Sequence, residues 1–251
     1  MSAKATVGHT TFETGKTKIA VPITGHTAVE IQEQAKAAIA FKPDTIEWRI
    51  DYYDEVLKSE AYLQTAQKVR AILGDTILLT TFRTTGEGGQ LVIDEQAYMK
   101  LYQSIIENQL TDMLDIEDHF NEATISRLIY LAHRHNISVI LSAHEFQGTP
   151  PELEIINILE QMQSQNADIA KIAAMPRKFK DVLTLMKATS IESEKLEIPI
   201  IAISMGHLGE ISRVTAPVFG SVMSFATVGD ASAPGQMDIE TLRREMKIFD
   251  K

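Results

Sequence analysis

Eight short β-rich runs recur at roughly thirty-residue intervals along 251 residues, each followed by a helical pattern, and this alternation predicts an α/β protein folded as a (β/α)8 TIM barrel. No Gly-x-Gly-x-x-Gly follows any of the runs, which speaks against an open, doubly wound sheet. Neither an internal repeat nor a low-complexity linker divides the chain, so residues 1–251 read as a single barrel domain.

The runs are Lys18–Ile23, Thr45–Asp51, Thr76–Phe82, Met113–Glu117, Ser138–Ala143, Asp168–Ala173, Ile198–Ser204 and Val222–Thr227. Ahead of the first, Thr6–Lys18 contains the turn signal Glu13-Thr14-Gly15-Lys16 and reads as an N-terminal β-hairpin closing the barrel floor. Between the runs, Ala28, Ile31, Ala35, Ala38 and Ile39 form one apolar helical stripe, and Ile125, Leu128, Ile129 and Ala132 form another. Thr149-Pro150-Pro151-Glu152 reads as a capping box with proline at the first helical position, opening the helix after the fifth run.

Composition narrows the function classes. With 44% hydrophobic and 23% charged residues the chain can bury a sizeable core. A formal net charge of -10 argues against nucleic acid as a partner, because phosphate binding needs a positive field. No stretch has the apolar length of a membrane span, and Met1 to Thr6 lead into no signal-peptide core. The absence of cysteine removes disulfides, thiolate metal sites and a cysteine nucleophile. A cytoplasmic enzyme is the simplest reading.

Barrel strands should be apolar, so the polar residues inside them are the informative exceptions. Glu47, Arg49 and Asp51 share one parity of the second run, with Trp48 and Ile50 on the other, which points the charged triplet into the barrel. Asp115 and Glu117 share a face of the fourth run, and Ser142 and His144 a face at the end of the fifth. Lys171 interrupts an apolar sixth run; Arg83 directly follows the third, with Glu87 in the glycine-rich stretch after it. A lone strand lysine is more often a snorkelling residue than a catalyst. Their joint occurrence favours chemistry, because barrel active sites are assembled from the C-terminal ends of several strands.

A buried lysine near Arg49, Arg83 or Arg213 would have its charged form disfavoured, freeing the amine to attack a ketone. The iminium formed would acidify the neighbouring C–H, and a histidine could take that proton and return one to a leaving group. This argues for imine chemistry on a carbonyl compound without naming it.

Six strings together resemble one family, type I 3-dehydroquinate dehydratase. They are Glu47-Trp48-Arg49-Ile50-Asp51, Phe82-Arg83-Thr84 with Glu87-Gly88-Gly89, Ser142-Ala143-His144-Glu145-Phe146, Ala170-Lys171-Ile172-Ala173, Ile203-Ser204-Met205-Gly206 with Ser212-Arg213, and Ser232-Ala233-Pro234-Gly235-Gln236. The resemblance implies dehydration of 3-dehydroquinate to 3-dehydroshikimate in the shikimate pathway, with neither metal nor organic cofactor. It implies Lys171 as the imine-forming lysine, His144 as the proton carrier and Glu87 as the residue that holds His144. It further implies Arg213 on the substrate carboxylate, with Glu47, Arg49, Arg83, Ser232 and Gln236 binding the hydroxyls and carboxylate. The loop Gly229–Gln236 would be a closing lid, and the assembly a homodimer. Pro22 departs from the family, some members of which carry a small hydroxyl residue near the end of the first strand.

Three rival readings stand beside it. A class I aldolase would also use a barrel lysine, but no convincing phosphate loop follows the last two runs. A metal enzyme could use Asp115, Glu117, His119 and His144, in a spacing that matches no metal motif. A non-catalytic scaffold would have no need of a desolvated lysine.

Overall fold

The computed structural model describes residues 3–229 and 231–249; Met1, Ser2 and, within the loop Gly229–Gln236, Asp230 lie outside the described residues. An N-terminal hairpin comes first, with β1 (Lys4–Val7) antiparallel to β2 (Thr10–Glu13). Then follow β3 (Lys18–Ile23), α1 (Ala28–Ile39), β4 (Thr45–Arg49), α2 (Ser59–Leu73), β5 (Ile77–Thr81), α3 (Glu95–Asn108), β6 (Met113–Glu117) and α4 (Glu122–Arg134). The second half comprises β7 (Ser138–Glu145), α5 (Glu152–Ser164), β8 (Ile169–Ala174), α6 (Phe179–Lys195), β9 (Ile200–Ser204), α7 (Gly206–Val214), α8 (Ala216–Phe219), β10 (Met223–Thr227), β11 (Met237–Asp238) and α9 (Ile239–Met246).

Strands β3 to β9 pair in parallel in chain order, and β10 pairs with β3, so the sheet curls round on itself. The seam between β9 and β10 is held by Val222 N donating to Ile200 O at 2.8 Å and by the Ser221 hydroxyl, which accepts from Ala202 N at 3.0 Å. This is the predicted (β/α)8 barrel, with each of the eight β-rich runs a barrel strand.

Side-chain parity divides the barrel into two cores. Ile46, Trp48, Leu78, Leu114, Ile116, Val139, Leu141, Ala170 and Ile172 face outward and pack with the helices' apolar stripes. Ile77, Leu79, Met113, Ile140, Ile169, Ile201 and Met223 face inward, and Val7 and Phe12 of the hairpin pack among them, so the hairpin plugs the barrel at the strands' N-terminal ends. Above this apolar floor the inward positions turn polar, with Glu47, Arg49, Asp115, Glu117, Ser142 and Lys171 all buried.

Three local expectations change. The hairpin turns at Gly8-His9, where Gly8 has φ +55, whereas Glu13-Thr14-Gly15-Lys16 makes a second turn leading into β3. Asp51 lies beyond β4, in a 3-10 turn at Ile50–Tyr52. The helix α5 starts at Glu152 with Pro151 as its N-cap and no side-chain cap; Thr149 Oγ1 is buried without a hydrogen-bond partner. Two successive prolines explain this, since each drives the residue before it into extended backbone and keeps Thr149 off the first turn.

Pro22 sits inside a central strand, where proline would normally break the ladder. Lys18 N donates toward β10, to Val222 O at 2.8 Å, and alternation therefore aims the nitrogen of Pro22 the same way. The β10–β3 register ends at Phe225–Ala20, so Pro22 lies beyond the last pair of that ladder.

Candidate active site

The C-terminal ends of the strands surround a cavity of about 650 Å³, open mouth included, lined by Glu47, Arg49, Arg83, Glu87, His144, Lys171, Arg213, Ser232 and Gln236 together with Phe146, Ile203, Met205 and Phe225. All nine residues that the family resemblance implies for the site line this one cavity, whereas Asp51, Asp115, Glu117, His119 and Ser142 are not among its lining residues. Strand parity delivers Glu47, Arg49, Lys171 and His144, and the turn after β5 delivers Arg83 and Glu87.

At its base Lys171, only 3% exposed, donates from Nζ to Asp115 Oδ2 at 2.7 Å and lies 4.9 Å from the centre of the Phe225 ring. Lys171 shares the cavity with Arg49, Arg83 and Arg213, as the sequence suggests, and its ion-pair partner is the carboxylate of Asp115. Asp115 also accepts from Arg83 Nη2 at 2.7 Å and from Ser142 Oγ at 2.6 Å. Burial alone would raise its pKa, but the positive charges of Arg83 and Lys171 hold its carboxyl well below the usual range.

Arg83 is the hub of the site. Its Nη1 donates to Glu87 Oε2 at 3.0 Å, Glu117 Oε1 at 3.0 Å and Ser142 Oγ at 3.1 Å. Burial would favour the neutral guanidine, yet the surrounding carboxylates keep it charged. Its polar hydrogens point largely at protein, so it organises the carboxylate layer. Arg49 forms a two-pronged pair with Asp51, Nε and Nη2 each at 2.8 Å, and Glu47 Oε1 accepts from Thr81 Oγ1 at 2.9 Å.

His144 Nδ1 is 2.8 Å from Glu87 Oε2. Burial would push the Glu87 carboxyl up, but contacts with His119 and His144 and the charge of Arg83 pull its pKa down to about 2, so it is ionised at neutral pH. An ionised acceptor requires the proton on Nδ1, which leaves Nε2 as the basic nitrogen. Burial, reinforced by Arg83, lowers the His144 pKa to about 4 against the opposing pull of Glu87. The ring is therefore neutral at pH 7 and able to accept a proton.

Arg213 has a different character. It donates from Nη2 to Pro234 O at 3.0 Å, its Nε has no hydrogen-bond partner among the described residues, and burial brings its pKa down to about 10. A buried guanidinium that pairs with no carboxylate among the described residues is suited to an incoming anion. Above it, Gln236 Oε1 accepts from Ser232 N at 3.0 Å, and Gly206 N donates to Pro234 O at 3.1 Å, so the loop lies over the cavity.

Of the four residues of the metal-enzyme reading, Glu117 and His119 come together, with Glu87, while among the described residues Asp115 and His144 join no such group, being engaged by Lys171 and Arg83 and by Glu87. Sequence reading also passed over the apolar wall. Phe225 shares the inward parity of β10 with Met223, a signal that could have marked it. Phe146 covers Gly88, where an added Cβ would come within 2.4 Å of the ring; the glycine has φ +81 as well.

Residues 19–251 match the family model for type I 3-dehydroquinase. The chain belongs to the type I 3-dehydroquinase family. It is 45% identical over 230 residues to a 3-dehydroquinate dehydratase of Lactiplantibacillus plantarum, covering 92% of this chain and 91% of the relative. It is 42% identical over 238 residues to that of Enterococcus faecalis, covering 94% of each. The crystal structure of the type I 3-dehydroquinate dehydratase from Clostridium difficile, bearing covalently modified comenic acid, superposes with a TM-score of 0.96 at 35% identity, covering 100% of this chain and 99% of that one. The enzyme from Geobacillus kaustophilus gives a TM-score of 0.96 at 31% identity, covering 99% and 98%. In this type I 3-dehydroquinase the six strings that carried the resemblance thus lie within a match that spans the barrel, and at the level of family the aldolase and metal-enzyme readings fall away.

Proposed function

We propose that the chain dehydrates 3-dehydroquinate to 3-dehydroshikimate through a Schiff base on Lys171, the third step of the shikimate pathway. The observation that carries this reading is the pair of buried contacts in one cavity, Lys171 to Asp115 at 2.7 Å and His144 to Glu87 at 2.8 Å.

In this reading Lys171 gives up one proton to His144 and its amine adds to the substrate ketone; the carbonyl oxygen takes one proton from the added amine and the one that His144 returns, and departs as water to leave an iminium. Asp115, 2.7 Å from Lys171 Nζ, stays beside the same nitrogen and serves the iminium. His144 Nε2 removes a proton from the carbon next to the iminium, and the electron pair is drawn toward nitrogen. The resulting imidazolium, supported by Glu87, hands its proton to the hydroxyl one carbon further on, which leaves as water. A second water returns the ketone and frees Lys171. Arg213 pairs with the substrate carboxylate, and Glu47, Arg49, Arg83, Ser232 and Gln236 contact its oxygens as the loop Gly229–Gln236 closes. No organic cofactor or metal takes part. Among the described residues no helix is long and apolar enough to cross a membrane, and the enzyme is read as a cytoplasmic homodimer of single barrel domains.

Borohydride trapping tests the reading. After incubation with 3-dehydroquinate, reduction and digestion, mass spectrometry should place the adduct on Lys171. Turnover without any adduct would remove the imine from the mechanism, and absence of both would remove the substrate.

A further inference from the structure

One edge of the cavity holds a cluster that the proposed reaction does not use in full. Glu87 engages His144 and Arg83 through Oε2 alone. Glu117 engages Arg83 and the Thr84 amide through Oε1 alone. The second oxygen of each faces His119, whose Nδ1 stands 3.5 Å from Glu87 Oε1 and 3.5 Å from Glu117 Oε2. Both contacts are long for hydrogen bonds, which centre near 3 Å. Among the described residues Glu117 Oε2 has no hydrogen-bond partner, and the Glu117 side chain is 0% exposed. A wholly buried carboxylate oxygen aimed at an open position is costly unless something positive meets it.

The three candidate ligand atoms, Glu87 Oε1, Glu117 Oε2 and His119 Nδ1, all lie within 4.8 Å of one another. The His119 ring is held by Phe120, with centroids 4.3 Å apart, and Phe120 by Tyr98 at 4.2 Å, so its nitrogen points into the cluster. His119 is also 44% exposed, which leaves the fourth side of the cluster open to water. Two carboxylate oxygens and one imidazole around an open position form a donor set suited to a borderline divalent ion such as zinc.

We propose that Glu87, Glu117 and His119 form a divalent-cation site, selective for zinc over the hard cations, whose occupation inhibits the enzyme. The ion would take Glu87 through the oxygen that His144 leaves free and place two positive charges one residue away from the His144 ring. It would thereby draw off electron density from the carboxylate that supports the imidazolium. The binding half of the proposal stands on the cluster alone; the inhibitory half rests on the catalytic role read for His144 and Glu87.

The test uses untagged, full-length protein stripped with chelator, titrated with zinc chloride in a non-coordinating buffer by calorimetry, beside the His119→Gln variant. Cobalt chloride is added in parallel, to read visible absorption. The expected result is one zinc per chain with micromolar or tighter affinity and a cobalt spectrum of low coordination number. Affinity should weaken about tenfold or more in His119→Gln, in line with losing one ligand of three. Dehydration should fall with the same midpoint and recover on chelation. Failure to bind zinc below millimolar concentration, or equal binding by His119→Gln, would overturn the site. Binding that leaves dehydration unchanged, in a protein that does turn over 3-dehydroquinate, would overturn the inhibition.

Discussion

Lys171 Nζ and Asp115 Oδ2 lie 2.7 Å apart with both side chains buried, which gives the proposed nucleophile a fixed counter-ion on a neighbouring face of the barrel. Removing one member of such a pair leaves an uncompensated buried charge, at a cost of about 3–5 kcal/mol. Asp115→Asn should therefore lower the urea midpoint markedly and slow turnover. In the double variant Lys171→Met with Asp115→Asn, much of the stability should return while turnover stays absent. If the two single losses simply add, Lys171 and Asp115 are not coupled in solution.

Lys171→Ala should abolish turnover and leave a folded, soluble barrel, since Asp115 keeps Arg83 and Ser142 as partners. Circular dichroism and steady-state assay suffice as the check. Near-normal turnover would exclude imine catalysis at this residue.

Much of this site is legible in the sequence because period-two parity assigns inward and outward positions without knowledge of the fold. Glu47, Arg49, Asp115, Glu117, Ser142 and Lys171 are inward by parity in their runs and inward in the barrel. Parity does not say which inward residues meet, because that depends on the stagger between strands and on turn geometry. Ser142 is level with Lys171 in the β7–β8 register, yet Lys171 reaches past it to Asp115 on β6. The Glu87–His144 contact spans 57 positions and depends on a turn whose path no periodicity encodes, so chemistry alone offers Glu87 as one carboxylate that could orient the imidazole, and the family resemblance singles it out. The start of α5 departs from the sequence expectation for a local reason, the competition between a threonine cap and two prolines.

The pH dependence of kcat/KM should fall on the acid side as His144 of the free enzyme takes up a proton, with a midpoint near its pKa of about 4. Glu87→Gln removes the acceptor that fixes the proton on Nδ1, and turnover should drop by about a hundredfold or more, as when a triad carboxylate is replaced by its amide. A Glu87→Gln variant with unaltered kcat would show that the 2.8 Å contact does not orient the base.

Stability should also respond to acid through groups that pull in opposite directions. The His144 pKa is depressed from 6.5 to about 4, so the unfolded chain binds its proton first, and that contribution is lost as pH falls from 6.5 toward 4. Glu87, lowered from 4.5 to about 2, and Asp115, lowered from 3.8, add stability that is complete above their unfolded values and lost as pH falls through the folded ones. Asp118 works the other way, because burial and the charge of Glu87 raise its carboxyl from 3.8 to about 7, so the folded chain binds that proton first as pH falls from 7 toward 4. Urea midpoints should therefore change little between pH 7 and pH 4, where His144 and Asp118 oppose each other, and decline below pH 4 as Glu87 and Asp115 take up protons. A flat profile below pH 4 would contradict the protonation states assigned to Glu87 and Asp115.

Arg213→Ala should raise KM more than it lowers the thermal midpoint, because among the described residues its hydrogen bonds run only to the backbone carbonyls of Phe225 and Pro234. Arg213→Lys should recover part of the stability and little of the affinity, since an ammonium cannot present a two-pronged fork to a carboxylate. Thermal destabilisation with KM unchanged would make Arg213 a structural residue.

Gly235 tests the covering loop without touching a residue proposed to contact substrate. Its φ is +77, and an added Cβ would lie 2.5 Å from Gly206 O and 2.8 Å from Gly206 C, both backbone atoms that no rotamer change can move aside. Gly235→Ala must therefore lift the loop from the start of α7, carrying Ser232 and Gln236 away from the cavity. Gly229 offers the control, because it too has positive φ (+85) but nothing within 4 Å of its added Cβ. The expected outcome is a KM rise of about tenfold or more in Gly235→Ala, a smaller one in Gly229→Ala, and thermal midpoints close to the parent in both, the loop lying outside the barrel core. Equal effects of the two substitutions would mean that backbone strain alone matters and that close approach to Gly206 does not set the position of the loop.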